Sequence, residues 1–125
     1  MGSREEAAFL LGIEQFNRGE FFAAHETWEA IWLAASGADR DFLQGIIQLA
    51  AAFHHWRGGN RPGALSLLRR GLGKLAAFPR SYRGICVARL REQAGRWAET
   101  LGEGAARPPG RLPEIELEPP PHADT

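Results

Sequence analysis

An all-α fold is what this sequence predicts: a compact bundle of about five helices followed by a proline-rich C-terminal tail. Apolar residues recur at three- and four-residue intervals along most of the chain, and helix-stop signals divide it into five stretches. No stretch shows the period-two alternation of a half-buried strand. The 125 residues are enough for one domain rather than two. The composition places a single helical domain over residues 1–101 and a Pro-rich acidic tail over 102–125.

Each helix has its own signals. Ser3-Arg4-Glu5-Glu6 fits the S-x-x-E capping box, so a first helix is expected from about Arg4, with Phe9, Ile13 and Phe16 on one stripe and Asn17-Arg18-Gly19 at its end. A second is expected from about Glu20 to Ala35, with Ser36-Gly37 as its C-cap. Asp39 is a suitable N-cap for a third, from about Asp41 to Arg57, closed by Gly58-Gly59. Asn60 caps a fourth, with Pro62 in its first turn; Leu65, Leu68, Leu72 and Leu75 form its apolar face and Pro79 stops it. The fifth, from about Tyr82 to Leu101, carries Val87, Leu90, Ala94, Trp97 and Leu101 on one face. Beyond Gly102, Pro108-Pro109, Pro113 and Pro119-Pro120-Pro121 forbid a regular helix, and an extended or disordered tail is expected.

Composition narrows the classes of function. Hydrophobic residues are 44% and charged residues 24%, ordinary for a soluble globular protein, and no apolar run reaches the ~18 residues of a membrane span. The charged opening Met1-Gly2-Ser3-Arg4-Glu5-Glu6 lacks the apolar core of a secretory signal, so a cytoplasmic location is expected. A single cysteine, Cys86, excludes an internal disulfide and a cysteine-based zinc cage, and its apolar neighbours mark it as core. The net charge is zero but unevenly placed: −5 over residues 1–56, +9 over 57–96 and −4 over 97–125. Mutual neutralisation within the chain or a dimer accounts for this asymmetry; an anionic partner, nucleic acid included, is the weaker alternative.

The second and third helices carry the candidate site. The third is apolar nearly all round, which marks it as central, yet Gln44, Gln48, Ala51 and His55 fall near one line along it. On the second, Phe22, His25, Glu29 and Trp32 share a face, flanked by Glu26 and Trp28. A short connection centred near position 38 makes the two helices antiparallel and brings His25 level with Ala51 and Glu29 level with Gln48. The expected polar site is therefore His25, Glu26, Glu29, Trp32, Gln44, Gln48, His54 and His55. A hydrogen-bond network that fixes helix register is the favoured reading, because packed polar groups must be satisfied. A small-ligand pocket and a metal site are the alternatives. His25-Glu26-x-x-Glu29 is a variant of H-E-x-x-H, and His25, Glu29 and His55 would form a two-His, one-carboxylate set for zinc or ferrous iron, with Glu26 as general base.

The string Phe16-Asn17-x-Gly19-x-Phe21-Phe22-x-x-His25-Glu26-x-x-Glu29-x-x-Trp32 resembles the signature of the bacterial and archaeal domain-of-unknown-function (DUF) family 309. The resemblance continues through Gln44-Gly45-x-Ile47-Gln48-x-Ala50, His54-His55 and Gly59-Asn60-x-x-Gly63-Ala64-x-x-Leu67, covering about residues 9–78. It implies a small all-α bundle with a polar site around His25, Glu26, Glu29, Gln48 and the His54-His55 pair, and it implies no activity. An acidic residue often follows the paired aromatics in that pattern; here the position is Ala23, so a role needing three carboxylates lacks its third. A looser similarity to tetratricopeptide-type hairpins concerns the fold alone.

Three functions follow from these readings. The first is a helical interaction or scaffolding module, binding a protein partner or a second copy of itself. The second is a metal- or small-ligand-dependent enzyme of hydrolase or oxidase type using His25, Glu26, Glu29 and His55. The third is nucleic-acid binding through the basic segment 57–96.

Overall fold

In the computed structural model, which describes residues 1–105 and 107–118, five helices follow one another: α1 (Ser3–Asn17), α2 (Phe21–Trp32), α3 (Gly37–Arg57), α4 (Arg61–Leu75) and α5 (Val87–Gly102). Each packs on its neighbour in the chain, so α3 lies between α2 and α4. Among the described residues, no helix is long and apolar enough to cross a membrane. The Pro119-Pro120-Pro121 run read as part of the tail lies outside the described residues.

The core is aromatic, and it runs across the bundle. Phe16 meets Phe21 edge-on at 5.1 Å, Phe21 meets Phe53 at 5.4 Å, and Phe53 meets Trp97 edge-on at 5.3 Å between ring centroids. One row of rings thereby ties α1, α2, α3 and α5 together, in the offset and edge-to-face geometries that aromatic quadrupoles favour. Trp28 is fully buried over Gly12, and its indole donates to the Phe9 carbonyl at 3.1 Å. The α3–α4 crossing is closer still: a Cβ on Gly71 would stand 2.9 Å from the Gly45 carbonyl oxygen.

Helix ends differ from expectation at three places. The capping box does not form: α1 begins at Ser3 behind Gly2, the Ser3 side chain caps nothing, and the Gly2 carbonyl takes the Glu6 N–H. Ser36-Gly37 does not end α2 but starts α3, with Ser36 extended at the N-cap. Asp39 consequently sits inside the first turn of α3 and is not its cap; its carboxylate is taken by side chains from elsewhere. Asn60, by contrast, caps α4 as expected, its side chain accepting the Gly63 N–H at 3.0 Å.

The all-helical expectation also misses a small hairpin. The fifth helix starts only at Val87, because β1 (Ser81–Tyr82) and β2 (Ile85–Cys86) pair antiparallel before it. Their two-residue turn, Arg83-Gly84, has positive φ at both positions, 49° and 78°, the I′ geometry that suits strand twist. A left-handed arginine is strained, and here ion pairs hold it. Against β2 lies an extended strap, residues 111–118, which bridges Ile85 to Leu117 and buries Ile115.

Candidate functional site

The antiparallel α2–α3 pair assembles only part of the expected cluster. Phe22 lies 5.2 Å from His54 between ring centroids, as a register centred on position 38 requires, and within α2 it stacks on His25 at 6.3 Å. The imidazole that meets α2 is therefore His54. His55 points the other way, its Nδ1 3.3 Å from the Asn60 side-chain nitrogen. His25 Nε2 stands 3.3 Å from Glu29 Oε2, an i,i+4 contact within α2. His55 does not join them. Among the described residues no three His, Cys, Asp or Glu side chains are gathered where they could hold a metal ion.

The polar groups are also wetter than expected. No polar or charged residue is fully buried among the described residues. Glu26 is exposed, the Glu29 side chain is 54% exposed, and His25, Trp32, Gln44, Gln48 and His55 are half-buried. The reason is geometric. α3 is central, but its stripe Arg40, Gln44, Ile47, Ala51 and His54 faces outward between α2 and solvent, so the site is a surface face rather than an interior network. Three of its atoms are nonetheless shielded from water without any partner: His25 Nδ1, Trp32 Nε1 and Gln48 Oε1. Arg40 covers Trp32, its guanidinium carbon 4.2 Å from the ring centroid. Beside the histidine pair, His54, His55, Arg57 and Asn60 line an open depression of about 280 Å³.

The outer side of α2 is apolar at its two ends. Phe22, Glu26, Glu29 and Leu33 repeat at i, i+4, i+7 and i+11 and form one stripe. Phe22 is 53% exposed and Leu33 71%. On that stripe only the carboxylates Glu26 and Glu29 lie between them, and α2 carries no Lys or Arg.

A second polar constellation escaped the sequence. Asp39 accepts from the Tyr82 hydroxyl at 2.6 Å and from Arg83 at 3.0 and 3.1 Å, and Arg83 also reaches Glu6 at 3.6 Å. The Tyr82 hydrogen bond, helped by Arg83, holds the Asp39 carboxyl below its ordinary pKa against the opposing effect of burial. Burial, and then the bond to Asp39, raises Tyr82; the same carboxylate raises Arg83. This brace joins α1, α3 and the hairpin. The legible signal for it was Arg83-Gly84, a two-residue turn with a glycine.

The basic segment is partly accounted for within the chain. Lys74 pairs with Asp41, Arg83 with Asp39 and Glu6, Arg89 with Glu92 and Glu116, and Arg96 with Glu92. Others sit at helix C-termini, where carbonyls and the helix dipole attract cations. Arg57 donates to the Gly19 carbonyl beyond α1, Arg61 donates to the Ala105 carbonyl beyond α5 at 2.6 Å, and Arg69 lies over Gly102. Among the described residues, Arg70, Arg80 and Arg91 are exposed without an acidic partner.

Over part of its length the sequence matches a known family. Residues 9–67 match the family described as Domain of unknown function (DUF309), a span that includes α1, α2, α3 and the Asn60-capped start of α4. The chain thus carries a DUF309 domain. It is also similar to an "Uncharacterized protein" of Aquifex aeolicus (strain VF5), 29% identical over 93 residues. That similarity covers 73% of this chain but only 28% of the relative, so the chain spans less than a third of the protein it matches.

Proposed function

We propose that the chain is a cytoplasmic helical interaction module whose contact surface is the outer face of α2 and α3. The observation that carries the reading is the stripe Phe22–Glu26–Glu29–Leu33, with exposed apolar residues at both ends. Beside it lie the unpartnered atoms of His25, Trp32 and Gln48. Scattered single apolar residues on a surface need no explanation, but two on one stripe beside unsatisfied polar atoms do. Each unsatisfied group costs about 1–3 kcal/mol, and a partner that shifts the half-buried side chains slightly can relieve that cost.

The same face defines the chemistry of the partner. Phe22 and Leu33 stand about 16 Å apart along the helix, at 1.5 Å per residue. Glu26 and Glu29 lie between them. An amphipathic helix bringing apolar side chains at matching separation, with a basic residue between, satisfies both features. Its test is a Phe22→Asp/Leu33→Asp double variant. Both positions are exposed, so the melting curve should be retained while a photo-crosslinked adduct formed from the α2 face is lost; an adduct unchanged in the double variant overturns the proposal.

The His25–Glu29 contact at 3.3 Å favours one other reading, ligand- or metal-dependent chemistry with Glu26 as base. Elemental analysis of untagged protein tests it. Near one equivalent of zinc or iron, lost in Glu29→Gln, establishes that reading, and metal-free protein whose melting is unmoved by added metal removes it.

A further inference from the structure

The strap is held by its backbone. Asn17 grips Ile115 reciprocally: its Nδ2 donates to the Ile115 carbonyl at 2.9 Å, and its Oδ1 accepts the Ile115 N–H at 2.6 Å. Gln93 does the same to Glu114, at 3.1 and 3.2 Å. The Cys86 N–H donates to the Glu116 carbonyl and the Glu118 N–H to the Gly84 carbonyl, both at 2.8 Å, while the Trp97 indole donates to the Arg111 carbonyl at 3.1 Å. Two side-chain carboxamides, an indole and a strand edge therefore read an extended main chain from Arg111 to Glu118. The side chains that matter are few. Pro113 is buried and Ile115 is 3% exposed, whereas Leu117 faces solvent.

Such a groove recognises any extended segment with apolar residues two apart, which is the β-augmentation mode of peptide binding. We propose that the groove between the end of α1, β2 and α5 is an extended-peptide site, and that the partner it takes in trans is residues 111–118 of a second copy of this chain. Two features support exchange. The strap is not sealed along its length: beside the Trp97–Arg111 hydrogen bond, an open groove of about 430 Å³ is lined by Pro109–Leu112 on the strap side and by Arg89, Gln93 and Arg96 on α5. Its connection to α5 contains Gly104, Pro108, Pro109 and Gly110, and the described residues of that connection form no helix or strand, which allows the strap to leave as a unit. A second copy brings the same Pro113 and Ile115 anchors and the same Glu116 for Arg89, 3.6 Å away within the chain. Reciprocal exchange fills both grooves and closes a two-fold dimer at little cost in new contacts. This site is separate from the α2–α3 face, so its failure leaves the proposed function standing.

The experiment uses the full chain with Glu116→Cys. Ile85 bridges Leu117, so Cys86 stands opposite position 116 across the strand pair. Oxidation with glutathione disulfide then records whether the strap beside Cys86 belongs to the same chain or another. A short tether gives an effective concentration of order 1 mM, so exchange predicts that covalent dimer approaches about half of the protein near ~1 mM after equilibration. An excess of a synthetic peptide of residues 108–118 should suppress that dimer, and adding Ile115→Asp, which removes the anchor, should abolish it. Monomer containing only the intramolecular disulfide at every concentration overturns the proposal. So does a dimer that survives Ile115→Asp, because it would then arise from collision rather than from a docked strap.

Discussion

Replacing Gly12 by alanine tests the α1–α2 packing with a single methyl group. A Cβ there would stand 2.1 Å from Trp28 Nε1 and 2.5 Å from Cδ1 and Cε2, whereas ordinary contact begins near 3.4 Å. The obstacle is not a flexible side-chain tip. It is a fully buried indole, 6.0 Å from the Phe16 ring centroid and anchored to the Phe9 carbonyl. Overpacking a core of this kind costs about 1–3 kcal/mol, and displacing the indole weakens a hydrogen bond with a net value near 1 kcal/mol. The gain in helix propensity from glycine to alanine returns up to about 1 kcal/mol. The expected net loss is about 2 kcal/mol, or roughly 8 °C in melting temperature for a domain of this size. Gly73→Ala is the internal control. It makes the same chemical change in α4, where a Cβ meets nothing within 4 Å, and is expected to stabilise by about 0.4–1 kcal/mol. Urea melts of the two variants against wild type measure both signs. A Gly12→Ala protein as stable as Gly73→Ala would refute the packing argument.

Other outcomes follow from the same geometry. Asp39→Ala should destabilise by about 1.5–3 kcal/mol at neutral pH, because it removes the acceptor shared by Tyr82 and Arg83. The native pKa of Asp39 is depressed, so its contribution is fully present above the unfolded carboxylate value of about 3.9 and is lost as pH falls below it. Melts of wild type and variant should therefore converge in acid, and a difference independent of pH down to pH 2 contradicts the assignment. Glu29→Gln should change stability by less than about 0.5 kcal/mol, since its one contact is solvent-exposed; a loss above 1 kcal/mol would restore the structural-network reading. Asn17→Ala should speed hydrogen exchange at the Ile115 amide about tenfold, the equivalent of ~1.4 kcal/mol, while leaving the Phe53 amide unchanged. Equal protection in both proteins would remove Asn17 as a clamp.

The helices were legible because their signals are local. The leucine steps from Leu65 to Leu75, the Asn60 cap and the apolar stripe of α5 each sit within a few turns of sequence, and each appears in the structure. The misses share a cause in long-range partners. Asp39 looked like a cap because nothing nearby in sequence says that Tyr82 and Arg83 will claim its carboxylate. Asn17 read only as part of a helix end, and Gln93 carried no signal of its own, because the strap they grip lies 98 and 21 positions away. At the candidate site, helical periodicity placed His25, Glu29 and Gln48 on facing stripes, and the Phe22–His54 contact matches that register. What periodicity left open was which of two adjacent histidines turns toward α2, and how much of the α3 stripe α2 covers. The positions of Asn60 and of the neighbouring helices decide both.

The interaction face is tested most directly by a photo-crosslinking scan in the cells that make the protein. A benzophenone amino acid placed singly at Phe22, Glu26 and Leu33 samples the outer stripe of α2. The same group at Arg70, Arg80 and Arg91 samples the exposed basic surface of the other side of the bundle. An interaction module working through α2 and α3 predicts one discrete adduct shared by the first three positions and absent from the last three. That adduct should be lost when Glu29 is reversed to lysine in the Leu33 variant. Adducts confined to the Arg70, Arg80 and Arg91 positions, or none at any position, would contradict the account.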